Sequence, residues 1–316
     1  MDYGPVIDFH LHLPYRYKDP IAAADYLVRK LDEAHVERAV VIAIEGGVES
    51  FKKRINPEYV RSAVQEILDY VAHSPIRSIR TLIFEPDKGI DEHVQLLIEH
   101  RRRTEEVVEA AERYPGRLYP VGSYNPDYGV DRVIERMRAF RDKLLGVKIY
   151  PTLHCISPSS SKLYKLYKFV ESINGIVIVH TGCDPGLWEL PRMCRHARPK
   201  FVAEAAKKFP NVPFIIAHMG SYSAIMPGIY FREALQAYSV ENVWMDTSAV
   251  DPLFVERAVE EVGYDKILFG SDFPYLVGFT IEDSIKDILK LDISNDAKRA
   301  ILYDNALRLL RMLGRL

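Results

Sequence analysis

The run "IVIVH" (residues 176–180) is followed, after the helical pattern "KFVAEAAKKFP" (200–210), by a second run, "FIIAH" (214–218). Two short apolar runs ending in histidine thus flank a segment whose Phe201, Val202, Ala205, Ala206 and Phe209 recur at helical spacing, with Lys and Glu between them. Parallel strands are buried on both faces and joined by crossover helices, so they read in this way rather than as alternating polar and apolar residues. The pattern extends outward in both directions. Further runs are "VIDFH" (6–10), "RAVVIAI" (38–44), "LYPVGSYN" (118–125), "LGVKIYP" (145–151), "VWMDTSA" (243–249) and "ILFGSD" (267–272). Amphipathic segments such as "AADYLVRKLDEAHV" (23–36), "RTEEVVEAAERYP" (103–115) and "KLYKLYKFVESI" (162–173) lie between them. That makes eight strands, the number that closes a (β/α)8 TIM barrel of the α/β class. An open doubly wound sheet is the competing arrangement.

The totals fit one barrel domain over residues 1–316. Apolar residues are 48% and charged residues 27%, with a formal net charge of −2, which indicates neither disorder nor a basic nucleic-acid surface. Between the second and third strands, residues 46–117 are expected to form a helical insertion with a short extra segment at "IRTLIFEP" (79–86). The charge run at 98–113 reads as a solvated helix face. Cys155, Cys183 and Cys194 show no C-x-x-C spacing and are expected to be reduced thiols. With no leader pattern and no apolar run of ~20 residues, the expected location is the cytoplasm, away from membranes. The C-terminal segment 296–313 is expected to be an amphipathic helix capped by Ser294 or Asn295.

Chemistry-bearing residues collect at the C-terminal strand ends. His10 and His12 end the first strand, where alternation puts them on one face with Asp8 and puts Phe9 and Leu11 on the other. Lys148 lies near the end of the fourth strand, and His180, His218 and Asp272 end the fifth, sixth and eighth. In a barrel this rim carries the active site. Two neutral imidazoles aimed at one point supply half a metal site, and four donors are needed to complete one. His35, His73, His93 and His100 fall in charged helical surroundings and read as surface residues.

In chain order, "DFHLH" (8–12), "GVKIYP" (146–151), "VIVHTG" (177–182), "IIAHMG" (215–220) and "LFGSDFPY" (268–275) resemble the metal-dependent amidohydrolase superfamily. The similarity is to its amidohydrolase-related branch, which includes the aminocarboxymuconate-semialdehyde decarboxylase type. The resemblance implies a distorted barrel binding one divalent ion, usually Zn2+, through His10, His12, His180 and Asp272. It also implies that His218 is the acid–base histidine, with Asp272 sharing the proton shuttle, and it suggests a homodimer. Three imidazoles and a carboxylate suit zinc, which lowers the pKa of a bound water to about 7. Lys148 stays open between a carboxylated bridge in a binuclear site, an ammonium that orients a substrate carboxylate, and a structural ion pair.

The expected activity is metal-dependent hydrolysis of a C–N or C–O bond in a small, carboxylate-bearing substrate by a metal-activated water. The alternatives are non-oxidative decarboxylation of an aromatic or muconate-like acid and a non-catalytic metal-binding barrel. The loop "TGCDPGLWELPRMCRHARPK" (181–200) overhangs the expected mouth. Its Trp188, Arg192, Arg195 and Arg198 are candidates for gripping a carboxylate, since Arg binds carboxylates bidentately. Tyr150, His154, Cys183, Tyr222 and Tyr275 are candidate pocket walls.

Overall fold

The computed structural model describes residues 4–47, 49, 62, 65, 102–183, 189, 191–223, 226–276 and 278–316, with Pro191 and Arg192 as backbone only. Eight parallel strands follow one another around a single sheet in the order β1 to β8. They are β1 (Val6–Leu11), β2 (Val36–Ile42), β3 (Leu118–Ser123), β4 (Gly146–Ile149), β5 (Ile176–Gly182), β6 (Phe214–Tyr222), β7 (Val243–Asp246) and β8 (Ile267–Leu268). The ring is closed by backbone bonds across the first and last strands. Phe9 N–H donates to Phe269 O, Asp272 N–H to His10 O and His12 N–H to Phe273 O, each at 2.8 Å. The helix Thr104–Glu112 belongs to the expected insertion; the rest of 46–117, including 79–86, lies mostly outside the described residues.

Alternation along the strands sorts the core into two shells. Ile7, Phe9, Val40, Ile42, Ile178, Ile215 and Ala217 point inward and meet Leu309 and Leu310 of the C-terminal helix Asn305–Met312 and Leu313 just after it. Their neighbours Ala39, Val41, Val177, Val179 and Ile216 point outward to the surrounding helices. The C-terminal helix lies across the N-terminal end of the barrel, where Arg315 Nη2 donates to Leu144 O and Ile173 O, just ahead of β4 and β5. The opposite rim is left for the site. Ser294 caps the C-terminal helical run, its hydroxyl accepting from Ala297 N–H at 3.1 Å.

Two readings are corrected. Asp8, His10 and His12 do not share one face. Asp8 pairs with Ala39 and Leu11 with Val41, so β1 carries an extra residue, a bulge that re-aims the side chains after Phe9. Asp8 Oδ1 then accepts from His10 N–H and Ser271 N–H, each at 3.1 Å, while the two histidines turn to the rim. Nor are all the thiols reduced: Cys183 and Cys194 form a disulfide with Cα atoms 5.3 Å apart, of which Cys155 is not part. Their eleven-residue separation matches no motif, because the loop between them returns the chain to the end of β5. Among the described residues, no helix is long and apolar enough to cross a membrane.

Candidate metal centre

The rim residues are placed by local departures from regular strand. With Ile215 and Ala217 pointing inward, strict alternation would send His218 outward. Left-handed backbone at His218 (φ 63°), Met219 (φ 48°) and Gly220 (φ 68°) reverses it, so the imidazole faces the site and Met219 joins the outer shell. Such φ values are costly for non-glycine residues and persist where the surroundings enforce them. Here Asp246 Oδ1 accepts the His218 N–H at 3.0 Å. Asp272 is likewise left-handed (φ 56°) and turns back over β1. Gly270 is required by close approach, since a Cβ there would stand 2.7 Å from His10 Cβ.

His10, His12 and Asp272 converge. Asp272 Oδ1 lies 3.5 Å from His10 Nε2 and 3.4 Å from His12 Nε2, with all three residues buried. The remaining ring nitrogens are committed. His12 Nδ1 donates to Ile42 O at 2.8 Å, and His10 Nδ1 donates to Asp246 Oδ2 at 2.7 Å. Since a carbonyl only accepts, His12 is protonated on Nδ1 and carries its lone pair on Nε2. His10 follows the same rule, because its Nε2 accepts from Lys148 Nζ at 3.2 Å.

His10 Nε2, His12 Nε2 and Asp272 Oδ1 therefore face one another, with the Lys148 ammonium hydrogen-bonded to His10, a donor set that a divalent ion between them would satisfy. A tetrahedral ion with bonds of ~2.1 Å sets its donors about 3.4 Å apart. The two measured separations match that spacing, and the tied Nδ1 atoms are the orienting shell that metal-binding histidines require. The residues present fit a divalent ion. A second acidic cluster, His10, His218 and Asp246, is close-set too, but its contacts are consumed by hydrogen bonds. Asp246 takes the His10 ring, the His218 amide and the Ser248 amide and hydroxyl.

His180 stands apart from both clusters. Its Nε2 lies 3.1 Å from Glu189 Oε1, and neither ring nitrogen has a hydrogen-bond partner among the described residues. Tyr150 stacks on its ring at 4.0 Å, and Tyr222 approaches both His180 (4.8 Å) and His218 (4.9 Å). His218 Nδ1 donates to Ser248 O at 2.8 Å, which leaves Nε2 as a free base. Tyr275 packs edge-on to His12. His154 is buried, its Nε2 donating to Glu45 O at 2.8 Å and its Nδ1 accepting from Tyr150 N–H at 3.1 Å.

Burial sets the charge states. It pushes His218 down to about 4, helped by His180, and it holds His10 well below its ordinary value, helped by the Lys148 ammonium. His180 is lowered in the same way. Lys148, 1% exposed, is pushed down to about 8 by burial against the opposing pull of Asp246 and Asp272. Burial alone would raise Asp272, but the neighbouring His12, His218 and His10 hold it below the usual carboxylate range. Burial lifts Asp8 to about 7 and puts Tyr150 well above its ordinary value.

The arginine candidates fare differently. Arg198 Nε donates to Glu233 Oε1 at 2.8 Å, with Nη2 on the same oxygen, so its guanidinium is engaged by a carboxylate of the chain itself. Arg195 is exposed at the start of a short helical turn. Trp188 and the Arg192 side chain lie outside the described residues. The sequence reading did not single out Asp246, Ser248, Glu189 or Thr152. Asp246 had the same signal as Asp272, a carboxylate closing an apolar run at the end of "VWMD".

The amidohydrolase family model matches residues 7–312. No curated protein matches the sequence. Among solved structures, a probable 2-pyrone-4,6-dicarboxylic acid hydrolase from Acinetobacter baumannii with citric acid bound is 16% identical (TM-score 0.60; 98% of this chain and 99% of that one). The 5-carboxyvanillate decarboxylase of Sphingomonas paucimobilis is 13% identical (TM-score 0.57; 97% and 99%). A dihydroxybenzoic acid decarboxylase from Polaromonas sp. JS666, with bound manganese and the inhibitor 2-nitroresorcinol, is 13% identical (TM-score 0.59; 98% and 97%). At these identities the likeness is one of fold.

Proposed function

The chain belongs to the amidohydrolase family, and from that premise we propose that it is a hydrolase dependent on one divalent ion, cleaving a C–N or C–O bond in a small, carboxylate-bearing molecule. The observation that carries this is the convergence of two Nε2 atoms and Asp272 Oδ1 at 3.4–3.5 Å, each imidazole fixed from behind. His10, His12 and Asp272 hold the ion. His180, whose ring nitrogens have no hydrogen-bond partner among the described residues, is the fourth donor. Bound there, the ion supplies Lewis acidity and a water acidified to about pKa 7. Three nitrogens and one oxygen favour zinc.

The chain's own groups then divide the work. His218, neutral and with Nε2 free, takes a proton from the attacking water and returns it to the leaving group. Asp246 and Ser248 hold that ring and His10 in register. Lys148 contributes positive charge beside His10 for an anionic substrate. A second reading, decarboxylation of a planar acid, is supported by the ring-lined rim of Tyr150, Tyr222 and Tyr275 and by the aromatic acid decarboxylases among the structural relatives.

Elemental analysis of the natively purified protein, followed by a screen of lactones, amides and aromatic acids with product identification, tests both readings. One ion per chain with hydrolysis products supports the first. Carbon dioxide release replaces it with the second, and a metal-free, inactive protein overturns both.

A further inference from the structure

The loop after β5 brings a buried carboxylate to the rim. Glu189 is 6% exposed, its Oε1 accepts from Thr152 Oγ1 at 3.0 Å, and its charge adds to burial in holding the neighbouring Tyr150 phenol above its ordinary value. Oε1 is also 3.1 Å from His180 Nε2. Receptor and occupant differ in kind. Tyr150 and Thr152 directly follow β4, and Tyr150 is held by its stack on His180 and by its N–H bond to His154, itself tied to Glu45 O. Glu189 instead reaches in from the connection between β5 and the helix Pro191–Cys194.

A buried hydroxyl that donates to a carboxylate, with a phenol beside it, suits an acceptor-only group, and a neutral ligand would satisfy them less well. Of the two described arginines that the sequence proposed for a substrate carboxylate, Arg198 is engaged by Glu233 and Arg195 is exposed. We propose that Thr152 Oγ1 and the Tyr150 phenol form the subsite for the carboxylate of an acidic ligand, and that Glu189 is the internal carboxylate this ligand displaces. The assignment deepens the proposed function and rests on it for the substrate class. It puts the ligand's carboxylate beside His180, so the rest of the molecule enters next to the donor cluster.

The test is calorimetric binding of benzoate, with benzamide as the uncharged control, to the wild type, E189A and E189A/T152V. An internal competitor lowers apparent affinity by the fraction of molecules in which the subsite is free. For a charge-assisted contact, its removal should tighten benzoate binding about tenfold or more. Benzamide binding should not change, and adding T152V should cancel most of the gain. No gain in E189A overturns the proposal, and so does a gain that survives T152V, which would reflect loss of negative charge alone. Should E189A fail to fold, a structure of the wild type soaked with benzoate decides. A benzoate carboxylate on Thr152 with Glu189 turned away supports the subsite, whereas Glu189 still on Thr152 with benzoate elsewhere refutes it. A protein that binds benzoate in this way but holds no metal and turns over no substrate would keep the subsite and overturn the proposed function.

Discussion

Gly270→Ala isolates the placement of His10. The added Cβ would lie 2.7 Å from His10 Cβ and 3.1 Å from Ser248 Cβ, where ordinary contact begins at 3.4 Å, so His10 must withdraw by about 0.7 Å. The neighbours cannot easily share that shift. His10 is fixed by Asp246 and Lys148, and its carbonyl holds the Asp272 amide. Overpacking of this kind costs ~1–3 kcal/mol of stability. A misplacement approaching 1 Å costs on the order of 10–100-fold in rate. The assay pairs chemical denaturation with metal titration and kcat/KM. Gly263→Ala is the control, because Gly263 has φ 79° with nothing within 4 Å of the added carbon. It should lose ~1–3 kcal/mol by backbone strain and leave metal affinity unchanged. If Gly270→Ala loses stability but binds metal as tightly as Gly263→Ala, His10 is not part of the ion's donor set.

Three further outcomes are expected. His180→Ala should lose metal and activity together, whereas His218→Ala should keep its metal, read by elemental analysis, and lose about 10²–10⁴-fold in rate; a metal-free His218→Ala protein would point to a binuclear site. Asp246→Asn leaves His10 and His218 without their shared anchor and should weaken metal binding by about 10–100-fold, and an unchanged titration would count against the tautomer argument. Burial alone would raise Glu45, but hydrogen bonds from Arg136 and Thr104 hold it below its ordinary 4.5, so its stabilisation is present above that pH and lost as pH falls through the lowered folded value. Glu45→Gln should accordingly cost ~1–3 kcal/mol at neutral pH and show a shallower loss of stability on acidification in denaturant titrations.

The barrel was legible because each strand is apolar on both faces and each crossover keeps helical spacing, signals that need no knowledge of the partner strand. What was not legible depends on contacts between strands. The bulge in β1 has no residue signature, yet it decides that Asp8 leaves the face shared by His10 and His12. His218 was assigned to the rim because it ends an apolar run, although simple alternation sends it outward and only the left-handed turn restores it. Asp246 carries the same signal as Asp272 but lies outside the five motifs that carry the family resemblance. The Cys183–Cys194 pair and Glu189 depend on how a loop returns, which spacing along the chain does not encode.

The same bonds close the barrel and hold the cluster. β8 pairs with β7 over only Ile267 and Leu268, so the final seam depends on the Phe9, His12 and Asp272 amides. Two of those amides belong to proposed ligands, and the third bond's acceptor, Phe269 O, adjoins Gly270, the residue that lets His10 approach. A seam this short would be a weak point in a parallel barrel if its side chains were apolar and nothing else crossed it. Here a divalent ion held by His10, His12 and Asp272 would tie β1 to the segment that follows β8. Metal affinity and closure of the β1–β8 seam are thereby coupled, since an ion that binds only the closed form stabilises it. The bulge, the left-handed Asp272 and the glycine at 270 are individually unfavourable for regular strand, and each places a donor or makes room for one. The strain concentrates where the donors meet, which is where a barrel that only had to fold would have no reason to carry it.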